Sequence, residues 1–220
     1  MDRSDRHTLV LKFDITGRLR YLSHQETARM LERALVRANA GLCYSMGFNP
    51  HPKISLPLPR TVGVVSIGDI LCAEVDTEGL DIDRLGDDIR RQLPDECVLA
   101  EVDIVEGKVS YQPKTTQYEF YVDRLADKPQ LKQKLSEFEN LCFTGQEIII
   151  ERWSEKKKKH RNIDVTGYIE EVEIEDGKVT VKVKITPDGS VRVEEILALA
   201  GLALEDIPQG ITRFNTVFEN

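Results

Sequence analysis

Residues 23–41 read SHQETARMLERALVRANAG, and this stretch sets how the first half of the chain folds. Ser23 followed three residues later by Glu26 is a capping box: the Ser23 hydroxyl accepts from the backbone at Glu26, and the Glu26 carboxylate reaches back. Behind it Ala28, Leu31, Leu35 and Ala38 recur at helical spacing until Asn39-Ala40-Gly41 stops the helix. Upstream, residues 8–14 are rich in β-formers and end at Gly17. Downstream, residues 54–58 and 67–75 read as extended. Ile82, Leu85, Ile89 and Leu93 mark a second amphipathic helix, and residues 97–105 read as a closing strand. That order is β-α-β-β-α-β, the ferredoxin-like pattern.

A polar stretch from Glu106-Gly107-Lys108 to Gln112-Pro113 reads as a joint, so the expected domains are residues 1–110 and 111–220. The second half repeats the order. Residues 117–122 are strand-like, Leu131, Leu135 and Phe138 line a helix, and residues 147–153 form another strand. A hairpin over 168–185 turns at Asp176-Gly177, the dipeptide that suits a type I′ turn. Pairing outward from that turn sets Ile174 against Val179, Val172 against Val181 and Glu171 against Lys182. Ser190 caps a last helix through Ile196 and Leu197, and residues 211–218 supply the final strand. The expected fold class is α+β, with two ferredoxin-like (βαββαβ) domains in tandem.

The totals agree with a globular chain. Of 220 residues, 40% are hydrophobic and 31% charged, which excludes a disordered polymer and leaves apolar material for two modest cores. No apolar run approaches the roughly 20 residues that span a bilayer. The first residues lack the apolar region of a signal peptide, so the expected location is the cytoplasm. The net charge of −8 excludes a globally basic nucleic-acid binder and leaves room for a local basic patch. Cys43, Cys72, Cys97 and Cys142 are scattered in apolar runs, without a CxxC pair or a Cys/His cluster of metal spacing. Each reads as a buried thiol acting as a small hydrophobe. No metal or cofactor is expected in this chain.

Four features carry the functional reading. Residues 44–53, YSMGFNPHPK, hold two prolines, a glycine and an asparagine, so they form a shaped loop. Ser45, Gly47, Phe48, Asn49, His51 and Lys53 combine an aromatic face, an amide, an imidazole and a cation, which suits an anionic, ring-bearing ligand. A structural crossover fits the same residues equally well. Arg29, Arg33 and Arg37 lie four apart and form one positive stripe along the first helix, preceded by Arg18 and Arg20. Such a stripe can track a phosphate backbone, or be a solvated helix face. The third feature is a basic loop over 152–161, with Trp153 at its base and Lys156, Lys157, Lys158, Lys159 and Arg161 beyond. It reads either as an RNA contact, with Trp153 stacking a base, or as a solvated run. Finally, His24 sits in the first turn of a helix beside arginines, where positive potential favours the neutral imidazole. Conventional enzyme signatures are missing: there is no P-loop, GxGxxG, GxSxG or HExxH. The carboxylate pairs Asp87-Asp88 and Glu170-Glu171 lie in amphipathic elements and read as solvent-facing.

Phe13 to Gly17, Leu19-Arg20-Tyr21-Leu22-Ser23-His24, Arg29, Glu32-Arg33-Ala34-Leu35 and Tyr44 to Ser55 together resemble the radical-SAM-linked family. This is a bacterial domain of unknown function, found fused behind a radical-SAM domain or as a stand-alone chain. The resemblance covers the first half well and the second more loosely, through Glu151-Arg152 and the basic segment to Tyr168. Glu26 stands where the family has aspartate, and Met46 where it has glutamine. The resemblance implies an accessory or substrate-binding role beside a separate radical-SAM protein, and the basic features add the expectation that this chain itself contacts RNA or a ribonucleoprotein. This chain lacks the CxxxCxxC triad, so SAM and an iron–sulfur cluster are expected only in that partner. A second expectation is a metal-independent RNA-cleaving or RNA-modifying enzyme using His24 or His51. A histidine on the first helix of tandem ferredoxin-like halves resembles the endoribonucleases that process CRISPR transcripts. Their glycine-rich C-terminal loop is absent here, and Pro208-Gln209-Gly210 is a poor substitute. The third expectation is a protein–protein scaffold.

Overall fold

The computed structural model describes residues 6–122, 125, 129–154 and 158–220. The chain divides into two compact units, Met1–Pro113 with Phe218–Asn220, and Lys114–Val217. In the first unit, β1 (Arg6–Ile15) leads through a 3₁₀ turn (Gly17–Tyr21) into α1 (His24–Arg37). Then come β2 (Ile54–Ser55), β3 (Val64–Asp76), α2 (Ile82–Arg90) and β4 (Cys97–Glu106). The strands lie in the order β4-β1-β3-β2, and each neighbour is antiparallel. Alternate residues of β1 (Leu9, Leu11, Phe13 and Ile15) are fully buried, as strand period demands. They pack with Leu31 and Leu35 of α1 and Leu85 and Ile89 of α2. Burying each such side chain stabilises the unit by about 1.5–3 kcal/mol before entropy is counted. The expected strand over 54–58 pairs only at Ile54 and Ser55. Pro57 has no N–H to offer a ladder, which ends the strand there.

The second unit contains β5 (Gln112–Tyr121), α3 (Pro129–Phe143), β6 (Ile149–Ser154), β7 (Lys159–Asp164), β8 (Ile169–Glu175), β9 (Lys178–Lys184), α4 (Val193–Leu199) and β10 (Ile211–Glu219). Its strands run β10-β5-β9-β8. Tyr118 and Phe120 of β5 face Val181 and Val179 of β9. Beyond them Val172 and Ile174 of β8 complete the rows, and Glu171 pairs with Lys182 as the hairpin register predicts. Asp176 and Gly177 take positive φ at the turn, +48° and +84°.

Two expectations need correction. The strand over 147–153 does not join this sheet: β6 pairs with β7 in a separate two-stranded ribbon. Ile150 and Ile163 seat that ribbon on Leu141 and Leu199, so a small apolar cluster of its own holds it. Ser190 is not the cap of α4. Its hydroxyl donates to the Lys184 carbonyl (2.8 Å), and the backbone N–H of Arg192 donates to Glu195 (2.7 Å) at the helix start.

Candidate functional site

The capping box at Ser23 is formed. The backbone N–H of Glu26 donates to Ser23 Oγ (3.3 Å), and the Ser23 backbone N–H donates to Glu26 Oε2 (2.8 Å). The Ser23 hydroxyl also donates to Glu26 Oε2 (2.6 Å), and this bond, then the one from the Ser23 backbone, with the charge of Arg29 adding to them, hold the Glu26 carboxyl below the usual carboxylate range. The helix start is fixed from below as well. Arg60, only 6% exposed, donates to Thr27 Oγ1 (2.7 Å), and Thr27 in turn donates to the Ser23 carbonyl (3.0 Å). The Arg60 charge is met by Asp69 at 3.6 Å, both side chains being buried. Sequence reading passed over Arg60 and Asp69. An arginine among prolines and an aspartate after a glycine look like loop residues, and no local pattern marks them as core.

With its buried face so fixed, α1 presents Arg29, Arg33 and Arg37 to solvent. The three line one wall of an open groove of about 380 Å³, with Met30 between them and Gln92 and Pro94 across from them. Several other guanidinium groups among the described residues are engaged: Arg60 by Asp69, Arg90 by Asp87, Arg91 by Asp88, Arg152 by Glu195. Among the described residues, Arg29, Arg33 and Arg37 are in no ion pair. Arg20 does not extend the stripe. It donates to the Tyr21 hydroxyl (2.9 Å) and lies over that ring, 5.0 Å from its centroid.

The loop over 44–53 is closed at its base. Tyr44 and Pro52 form a bridge, Ser45 donates its backbone N–H to the His51 carbonyl (2.8 Å), and His51 N–H donates to Ser45 Oγ (3.0 Å). Gly47, at φ +149°, Asn49 and the His51 side chain are exposed, and Phe48 projects fully into solvent. Lys53 is turned away from the tip and donates to Glu74 Oε2 at 2.7 Å.

The structure does not bring Ser23 and His24 together with this loop. The Arg20 carbonyl just before them accepts from Gly63, which precedes β3, whereas the loop is bonded to Glu74 near the far end of that strand. At roughly 3.3 Å per residue, Gly63 and Glu74 stand about 35 Å apart along β3. The arginine stripe, Arg29 to Arg37, takes up the C-terminal part of α1, about 12 Å of a helix about 20 Å long.

In the second unit the basic run is divided. Arg152 lies partly buried in a bidentate pair with Glu195 (2.7 Å to each oxygen), and it also donates to the Ser190 carbonyl (3.0 Å). Trp153 stands opposite His160, with ring centroids 5.1 Å apart in an edge-on contact. Arg161 is opposite Arg152, so strand alternation sends Trp153 and Arg161 to different faces of the ribbon. Lys159 shares the Arg161 face, and Lys158 occupies the turn at φ +48°. Lys156 and Lys157 lie outside the described residues.

Cys72 and Cys97 are buried, Cys43 and Cys142 partly so. Burial pushes the Cys97 thiol up to about 12 and that of Cys142 up to about 11. Among the described residues, no group of three or more His, Cys, Asp and Glu side chains is placed to hold a metal ion. No helix among them is long and apolar enough to cross a membrane.

A mixed α+β protein with mainly antiparallel sheets and, among the described residues, four α-helices is the class defined by these elements. Within it, the chain belongs to the bacterial family described as "Uncharacterized protein conserved in bacteria (DUF2344)", whose model matches residues 8–194. No curated protein matches it. It is similar to a chain of a Cbf5-Nop10-Gar1 complex, at 16% identity and a TM-score of 0.44. That likeness covers 94% of this chain and 48% of the other, so the chain spans about half the length of that relative. It is also similar to the regulatory subunit of aspartate kinase from Thermus flavus, at 11% identity and a TM-score of 0.27, over 90% and 91% of the two chains.

Proposed function

We propose that this protein is a cytoplasmic binding module of two ferredoxin-like domains in tandem, the second carrying an inserted β-ribbon, which holds RNA through α1. In this reading it serves a separate radical-SAM protein, which supplies SAM and the iron–sulfur cluster. The partner's identity rests on the resemblance of the first half, and the RNA contact rests on the stripe. The observation that carries the RNA reading is the state of Arg29, Arg33 and Arg37. They are exposed, in line, and outside any ion pair among the described residues, in a protein whose other buried or paired arginines are spent on structure. Four residues of helix advance about 6 Å, a spacing comparable to that between neighbouring phosphates of one nucleic-acid strand. A guanidinium forks onto phosphate oxygens with two donors, so each arginine can take one phosphate. Contacts of this kind position a strand without reading its bases. Gln92, across the groove, supplies an amide for a base or ribose.

The test is fluorescence anisotropy with a labelled single-stranded RNA at low salt, comparing the wild type with R29Q/R33Q/R37Q. Loss of affinity by at least about tenfold is expected on removing three phosphate contacts. Equal affinity of the two proteins, or no binding by the wild type, would remove the RNA reading.

A further inference from the structure

We infer that the tip of the loop between α1 and β2 is a plug that enters an apolar pocket, rimmed by carboxylates, on a protein partner. Three observations carry this. The first is preorganisation. Below the tip, Cys43 N–H donates to the Glu74 carbonyl (2.8 Å), Lys53 N–H to the Cys43 carbonyl (2.9 Å) and Glu74 N–H to the Lys53 carbonyl (3.0 Å). Above these the Ser45–His51 pair and the Tyr44–Pro52 bridge close the neck, and Pro50 restricts the tip itself. A loop held this way loses little freedom on docking.

The second observation is what the neck holds out. Met46 is 99% exposed and Phe48 110%, so two large apolar side chains stand wholly in water. Aromatic residues and methionine are enriched where protein interfaces are most buried, and methionine adapts its shape to a pocket.

The third is charge. The cation that would make the tip attractive to a phosphate, Lys53, is withdrawn into its bond with Glu74. Arg6 (3.8 Å) and Lys108 (3.7 Å) reach the same carboxylate, so three cations surround Glu74 at the base of the loop, with Asp76 nearby. Arg6 and Lys108 keep much of their surface in solvent. The result is an uncharged apolar tip above a collar in which three cations outweigh two carboxylates by one charge. Its complement is an apolar recess with acidic residues at the mouth. The inference relies on the proposed accessory role only for the existence of a protein partner.

The experiment uses the full chain with benzoylphenylalanine in place of Phe48, irradiated in cells, the adduct being mapped by mass spectrometry. The expected adduct is on one protein other than this chain, at an apolar residue flanked by Asp or Glu. That protein, once purified, binds M46D/F48D at least tenfold more weakly than wild type. The same variant melts with the wild type, because both side chains are exposed. An adduct on RNA, an adduct on a second copy of this chain, no adduct, or equal affinity for M46D/F48D each overturns the inference. R29Q/R33Q/R37Q keeps the adduct, so failure of the RNA reading and failure of the docking surface are separately visible.

Discussion

Arg60 shows what single residues do here. It is a cation inside the first unit, donating to Thr27 (2.7 Å) and Ser66 (3.3 Å) and facing Asp69 at 3.6 Å. A buried charge pair of this kind contributes little net stability over an apolar replacement, but halving it strands the other charge. R60A is therefore expected to cost about 3–5 kcal/mol in chemical denaturation. A loss below 1 kcal/mol would mean that Asp69 finds water. Glu74 gives a pH-dependent counterpart. The hydrogen bond from Lys53, then the charges of Lys53, Lys108 and Arg6, hold its carboxyl below the ordinary value of 4.5. A carboxylate whose pKa is depressed by folding stabilises the native state fully above its unfolded pKa. That contribution is lost as pH falls from about 4.5 through the lowered value. Denaturation curves against pH are expected to show part of the acid loss of stability disappearing in E74Q. An unchanged acid limb would show that the Lys53–Glu74 bond does not hold the loop.

At the scale of elements, periodicity and turn chemistry carried most of the fold. The α1 capping box is present as spaced, and β8 and β9 pair in the register that Asp176-Gly177 dictates. Gly177 sits at φ +84°, with the Val122 carbonyl oxygen 3.2 Å from where a Cβ would be. G177A is expected to destabilise the second unit by about 1–2 kcal/mol in thermal melts, from the left-handed conformation alone. A neutral substitution would indicate that the turn shifts to relieve it. The β6–β7 ribbon escaped prediction because β7 reads KHRNID, a run with one apolar residue, Ile163. Its partner strand supplies the missing apolar contacts, and a pairing between separate segments leaves no trace in local period. Arg152 was counted with the free cations for the same reason: its partner Glu195 is 43 residues away.

For the molecule as a whole, composition bounded the answer without naming it. An acidic chain of net charge −8 can hold RNA only where positive charge is concentrated and unspent. The candidate residues were visible in sequence as arginines four apart, but whether they were paired was not. The distance between His24 and the proline loop was equally hidden, since both flank the same helix in the chain and stand at opposite ends of β3 in space. The account's central claim, that the stripe holds phosphates, is tested most directly by the salt dependence of RNA affinity. For single strands the slope of log K against log salt falls by about 0.7 for each phosphate contact. Removing three such contacts in R29Q/R33Q/R37Q is expected to make that slope shallower by about 2 relative to the wild type. Parallel slopes for the two proteins would contradict it.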